Sequence, residues 1–293
     1  MLARISTFIG LAAVLSGAVA CTNQQSASGT QYGGTQPVTS PLVNWPKATD
    51  DKPVSQTIKV AGTFDGEMAR FFGVEALGTF DQNETQQPLF KLSEGATLSN
   101  VILGHPAADG VHCKGSCTLR NVWWENVGED AATFRGASPT DVMLIDGGGA
   151  SGARDKVFQS NRQGTVHIKN FYVEWFGKLF RSCGNCSQQS PRHVIIENVT
   201  AVAGENAKTL AGINVNYGDT AEFRGQNVVY DASGGKFATC LTYEGTSNNS
   251  NEPKQLGAGA DGAHCKSLNA SVAVRTEYKP SDTSVAATTP PAP

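Results

Sequence analysis

The chain is predicted to be all-β, a single-stranded right-handed parallel β-helix over residues 54–279, and three observations predict it. Short β-branched and aromatic runs alternate with Gly, Asn and Asp turns, and no amphipathic helix pattern of convincing length runs between them. An apolar-Asn-apolar unit recurs as LSNVI, LRNVW, IKNFY, IENVT and the looser FRGQNVV, centred on Asn100, Asn121, Asn170, Asn198 and Asn227; MLIDGGG places Asp146 between the second and third. The intervals are 21, 25, 24, 28 and 29 residues, a length suited to one coil of a solenoid whose strands stack on the next coil. Asn at the bends also has a physical role, because its amide can hydrogen-bond its copies above and below. A β-sandwich, the competing all-β architecture, would show shorter and more even strand spacing.

The elements follow in order. Residues 1–20 carry Arg4, an apolar run too short to span a bilayer and a small-residue end at Ala20, and so read as an export signal. Cleavage there fits a secretory site, while Cys21 at the new N-terminus also resembles a bacterial lipoprotein signal. The expected destination is therefore extracellular, with a lipid anchor at Cys21 on the outer membrane or cell surface as the variant. Residues 21–53 are rich in Gln, Ser, Thr, Gly and Pro and read as a flexible tether; residues 280–293 read as a disordered tail. Cys113, Cys117, Cys183, Cys186, Cys240 and Cys265 form an even set suited to an oxidising compartment, and spacing leaves their pairing open. Zinc is the rival reading of CKGSC and CGNC, but neither matches a complete four-ligand pattern. The net charge of −3, with no basic run, excludes a nucleic-acid binder.

Counting forward from the bends aligns the charges. Asp109 lies nine residues after Asn100, Glu129 and Asp130 eight and nine after Asn121, and Asp155 and Lys156 nine and ten after Asp146. Lys178 and Arg181 follow Asn170 by eight and eleven. If each interval is a coil, Asp109, Glu129, Asp130 and Asp155 stack on one face with cations beside them. Crowded carboxylates either raise one another's pKa or bind a cation. A hard, oxygen-seeking ion suits them, and Ca²⁺ accepts irregular oxygen sets more readily than Mg²⁺. A cation face beside a calcium cluster suits an acidic polymer. For a polyuronate the chemistry is β-elimination, because the C5 hydrogen lies α to a carboxylate that calcium polarises. Lys156 is the expected base, on the expectation that neighbouring cations and burial lower its pKa. Arg181 and Lys178 are expected to grip substrate carboxylates, Arg181 bidentately.

The segments ADGVHCKGSCTLRNVWWENVGEDAATF, GGGA, DKVFQ and FGKLFRSCGN also resemble the calcium-dependent pectate lyases of polysaccharide lyase family three. The likeness spans roughly residues 55–280 and is densest over 96–186. The resemblance implies a short parallel β-helix that cleaves polygalacturonate by elimination, with Ca²⁺ as cofactor. It matches the family's calcium carboxylates to Asp109, Glu129 and Asp130, its catalytic lysine to Lys156, and its basic pair to Lys178 and Arg181. Members differ in whether lysine or arginine is credited as the base. Many members carry cysteine where this chain has Gly128.

Other motifs carry less. Trp123 and Trp124 are adjacent in a predicted strand, so one faces the core and the other faces out, where it either stacks on sugar or packs at an edge. His112 and His167 stand without a paired nucleophile, which sets aside a serine hydrolase. GADGAHCK at 259–266 echoes AADGVHCK without the later GED, so Asp261 is read as structural. The leading expectation is an endo-acting, monomeric, exported pectate lyase. An inverting β-helix glycoside hydrolase would need an acid and a base across a water instead of a metal cluster, and a non-catalytic acidic-glycan-binding lipoprotein would bind without shortening the chain.

Overall fold

A computed structural model describes residues 43–79, 82 and 85–276. The leader, Cys21, the tether up to residue 42, the last three residues of the expected solenoid (277–279) and the 280–293 tail lie outside them. The described residues belong to the second of two units into which the chain divides, Pro41–Pro293.

Up to Ala238–Glu244 consecutive strands do not pair with each other; each pairs in parallel with the strand one coil on. One sheet runs through Asp51–Val54, Thr63–Gly73, Ala96–Leu103, Cys117–Trp124, Val142–Ser151, Gly164–Lys169, Arg192–Glu197, Thr220–Arg224 and Cys265–Lys266. A second runs through Ile58–Val60, Phe90–Leu92, Val111–Cys113, Ala132–Phe134, Lys156–Ser160, Lys178–Ser182, Thr209–Asn214 and Ala238–Glu244. The long strands of the first sheet pass through a bend onto a third face, which Tyr172–Glu174, Thr200–Ala203, Asn227–Asp231 and Val272–Arg275 continue. This is the expected parallel β-helix. Antiparallel pairing enters where Lys254–Ala258 folds back on Ala238–Glu244, and the α-helix among the described residues is the four-residue Leu268–Ser271.

The repeat works as a pair of ladders. Inside, Leu98, Leu119, Ile145, Ile168, Ile196 and Phe223 sit directly opposite one another in successive coils. All six are fully buried, each contributing about 1.5–3 kcal/mol of hydrophobic stabilisation. At the bend, Asn100, Asn121, Asn170 and Asn198 have φ of +52° to +53°, a left-handed conformation that Asn tolerates better than most residues. Asn121 donates to Asn100 Oδ1 at 2.8 Å and Asn198 to Asn170 Oδ1 at 3.5 Å.

Two assigned bend positions are corrected. Arg120 pairs with Asp146 and Val122 with Gly148, so the residue opposite Asn121 is Gly147, at φ +74°. Asp146 stands one residue earlier and accepts a hydrogen bond from Asn170 at 2.9 Å. Likewise Glu197 pairs with Arg224, which puts Gly225 at the bend with φ +61°. Asn227 lies two residues on, inside a strand, where its buried Oδ1 accepts from the Val199 amide at 2.9 Å.

The folded region also begins earlier than the composition suggested. Asp51–Val54 pairs with Arg70–Gly73, and Trp45 packs edge-on against Trp123 and Tyr172 at ring separations of 5.1 and 6.2 Å. Residues 43–53 are therefore part of the folded unit: the indole finds an aromatic partner that the surrounding polar sequence does not advertise. Three disulfides join Cys113 to Cys117, Cys183 to Cys186 and Cys240 to Cys265. CKGSC and CGNC are thus each closed by their own bond, which removes the zinc reading.

Candidate active site

The second sheet positions the charges. Val111 pairs with Ala132, Ala132 with Phe158, and Lys156 with Lys178. Carrying that register back two residues aligns Asp109, Asp130, Lys156 and Lys178 in one column at the leading edge of the sheet, with Glu129 and Asp155 in the column beside it. The one-residue correction at Gly147 is what places Lys156, and not Asp155, in line with Asp109 and Asp130.

Two glycines let the turns close this tightly. A Cβ at Gly128 would stand 1.9 Å from the Ala108 carbonyl oxygen, and one at Gly110, with φ of +49°, would stand 2.1 Å from that of Ala131. The turns are then stapled by backbone hydrogen bonds, Glu129 N to Ala108 O at 3.0 Å and Ala131 N to Val157 O at 2.9 Å. Cysteine at 128 would meet that carbonyl.

Asp109, Glu129 and Asp130 each offer an oxygen within 4.8 Å of the others, and all three are buried. Burial pushes the Asp130 carboxyl well above its ordinary range; Lys156 opposes the shift, while Glu129 and Asp109 add to it. Asp109 Oδ1 and Asp130 Oδ1 are buried and accept no hydrogen bond. Two carboxylate oxygens without a hydrogen bond, one of them with only the Lys156 ammonium at 3.6 Å, inside a group of three acids fit a hard divalent cation, whose oxygen ligands they would become. Asp109 Oδ2 lies 2.7 Å from His112 Nε2. The sequence reading left His112 isolated; its i, i+3 spacing from Asp109 was the available signal. A side chain that orients a metal ligand from behind is a familiar requirement of such sites.

The cations do not all meet. Lys156 Nζ is 2.8 Å from Asp155 Oδ2, 3.5 Å from Glu129 Oε1 and 3.6 Å from Asp130 Oδ1. Burial works to lower its pKa, but Asp130, Asp155 and Glu129 outweigh burial and hold it above the ordinary lysine range. The expected depression is therefore absent with these carboxylates as the neighbours, because they surround the ammonium where cations were expected to. Asp155 also pairs with Lys178. Burial would raise Asp155; the two lysines prevail and hold it at about 2. Asp155 thus clamps the two lysines and stands outside the group of three acids.

Arg181 lies further along its strand, opposite Gln159 and Gly212. It is buried, and its Nη1 donates to Ser182 O at 2.7 Å, Asn214 Oδ1 at 2.8 Å and Gly212 O at 3.3 Å. The guanidinium carbon sits 4.1 Å over the Tyr243 ring. Nη2 finds no acceptor, and burial lowers the guanidinium to about 10. The guanidinium is pinned through Nη1, while Nη2 is a buried donor without an acceptor, and a carboxylate is the group its charge and geometry suit. Asn214 and Tyr243 come from later coils, and nothing in their local sequence marks them.

Neither tryptophan of the pair is a sugar platform. Trp124 is fully buried against Phe158 and Phe171, and Trp123 lies under Trp45 with its Nε1 donating to Asn121 Oδ1 at 2.7 Å. Asp261 caps its own turn, accepting from the amides of Ala263, His264 and Cys265 at 3.1, 2.7 and 2.8 Å.

With this geometry in place, comparison with known proteins is specific. A sequence model described as pectate lyase matches residues 43–250. Pectate lyase H of Emericella nidulans is 48% identical over 199 residues, which is 67% of this chain and 72% of that protein. The crystal structure of the catalytic domain of pectate lyase PelI from Erwinia chrysanthemi superposes with a TM-score of 0.63 at 32% identity, covering 77% of this chain and all of that one. PelI in complex with tetragalacturonic acid gives 0.61 at 30% identity, covering 78% and 71%.

Proposed function

The chain belongs to the pectate lyase family and is a polysaccharide lyase; from that premise we infer that it cleaves polygalacturonate by calcium-assisted β-elimination. The observation that carries this is the buried group of Asp109, Glu129 and Asp130, two of whose oxygens accept no hydrogen bond, beside Lys156 and Lys178. Those three carboxylates would hold the ion. When bound, calcium supplies the positive charge that neutralises them and polarises a uronate carboxylate of the substrate.

The remaining steps fall to the chain's own residues. Lys156 is the base. Its pKa is held up by Asp130 and Glu129, which would bind the ion, and by Asp155, which stands outside that group; neutralising the first two leaves Asp155 alone to oppose the burial that acts to lower it. Its amine takes the C5 proton, the C5–H electron pair forms the C4–C5 double bond, and the C4–O bond breaks with its oxygen leaving to be protonated. Lys178, steered by Asp155, and Arg181, whose buried Nη2 has no acceptor in the fold, are the groups that take carboxylates of the polymer. The sheet's face runs along the solenoid, which suits endo action on a long chain. The 1–20 leader and the three disulfides support export.

The test is incubation with polygalacturonate while following the ultraviolet absorbance of unsaturated ends. Absorbance should rise, stop with chelator, return with calcium, and accelerate into the alkaline range. Saturated reducing ends that persist in chelator would make the protein a hydrolase, and an optimum at about pH 5 would remove Lys156 as base.

A further inference from the structure

The turn that leads into Lys178 carries an exposed indole. Trp175 is 40% exposed, and among the described residues it is the aromatic side chain standing out with the large exposed hydrophobics. The chain has four tryptophans; Trp124 and Trp123 are buried, and Trp45 is partly covered on Trp123. Trp175 also has φ of +52°. A bulky side chain in that region is strained where glycine would not be, and such strain concentrates at ligand-binding positions. Trp175 gains little burial in exchange.

Its surroundings leave the ring room. Glu174 pairs with Ser151, so the residue beside Trp175 in the preceding coil is Gly152, where a Cβ would meet Asn126 Oδ1 at 2.3 Å. On the following coil, Cε3 and Cζ3 of the indole lie 3.1 Å from where a Cβ on Gly204 would stand. The turn is anchored to the coil before it, Gly177 N donating to Ala153 O at 2.9 Å and Lys178 N to Asp155 O at 2.7 Å. An apolar, rigidly mounted ring thus stands three residues ahead of Lys178, flanked by glycines.

We propose that Trp175 is a stacking platform for a pyranose ring of the substrate, forming a subsite next to Lys178. The inference rests on the polyuronate reading of the site. The ring face of a galactose-configured sugar presents polarised C–H groups that match the electron-rich face of an indole, while the carboxylate of that sugar or its neighbour falls to Lys178. Stacking supplies affinity and fixes the register of the polymer without touching the reacting atoms.

The experiment uses the full protein and four variants: Trp175→Ala, Trp175→Gly, Trp175→Phe and Trp175→Tyr. Because Trp123 and Trp124 are buried and Trp45 is partly covered on Trp123, acrylamide-accessible emission belongs mainly to Trp175. Tetragalacturonate, added without calcium so that no turnover occurs, should shield that emission in the parent and not in Trp175→Phe. With calcium, Trp175→Ala and Trp175→Gly should raise KM about tenfold on polygalacturonate, with kcat within about twofold, and the aromatic variants should recover most of the loss. Trp175→Gly should keep the parent Tm, since glycine relieves the left-handed φ. An unchanged KM, aromatic variants no better than Ala, or a Tm loss with a parallel fall in kcat would each overturn the platform. A parent that eliminates polygalacturonate but shows no shielding overturns the platform alone; a parent that does neither overturns the underlying reading as well.

Discussion

Two turns of this molecule share nearly the same peptide, AADGVHCK at 107–114 and GADGAHCK at 259–266, and the structure uses them differently. In both, the aspartate faces the histidine three residues on, Asp109 with His112 at 2.7 Å and Asp261 with His264 at 3.0 Å. Asp261 is partly exposed and spends its carboxylate on three backbone amides of its own turn. Although its slight burial would raise it, those hydrogen bonds hold it at about 2. Asp109 is buried, leaves one oxygen orphaned, and meets Glu129 and Asp130 from the next coil. The local motif therefore specifies a capped turn. It becomes a candidate metal site where the neighbouring coil adds two more acids.

The sharpest way to break this comparison is to remove the neighbour's contribution. Asp130→Asn should lower elimination by about 100-fold at sub-saturating calcium, whereas Asp261→Asn should leave initial rates within about twofold. Equal losses in rate measured against calcium concentration would mean that the two turns are not functionally distinct. The histidines offer a finer contrast. His112→Ala should weaken calcium affinity by about tenfold, read by isothermal titration, because it frees the Asp109 side chain to turn; His264→Ala should leave it unchanged.

The smallest effect is on stability. Asp261→Ala removes a cap of about 1 kcal/mol, or roughly 2–4 °C in Tm for a domain of this size. The folded-state pKa of Asp261 is depressed from 3.8 to about 2, so its contribution is fully present above about pH 4 and is lost as pH falls through about 2. Melting curves of the parent and Asp261→Ala should therefore converge across that interval. A gap that stays constant down to pH 2 would show that the carboxylate charge is irrelevant to the cap.

How much could be read beforehand divides along the same line. The solenoid was legible because apolar ladders and left-handed Asn bends repeat, and each repeat states its own local preference. Asp109, Glu129 and Asp130 were legible because they share a phase. The coil from 142 to 151 was misread by one residue because Gly147 fills the left-handed position there. A glycine bend leaves no side-chain signature in a pattern built on Asn, and one residue of slip exchanges Asp155 for Lys156 in the column. Trp45 was hidden for another reason: an aromatic residue inside a polar stretch gives no periodicity, and only its partner Trp123 on a distant strand shows that it is folded.

From its residues alone the chain was committed to stacked parallel coils, to bends at Asn100, Asn121, Asn170 and Asn198, and to acids that fall at matching distances past them. Backbone sterics and side-chain polarity act over a few residues and leave their mark in the order of amino acids. Disulfide partners, the covering of Trp123, the raised lysine at 156, the pinned guanidinium at 181 and the exposed ring of Trp175 were decided in three dimensions. Each depends on which groups of other coils come within a few ångströms, and charge, burial and hydrogen bonding at that range are set by packing.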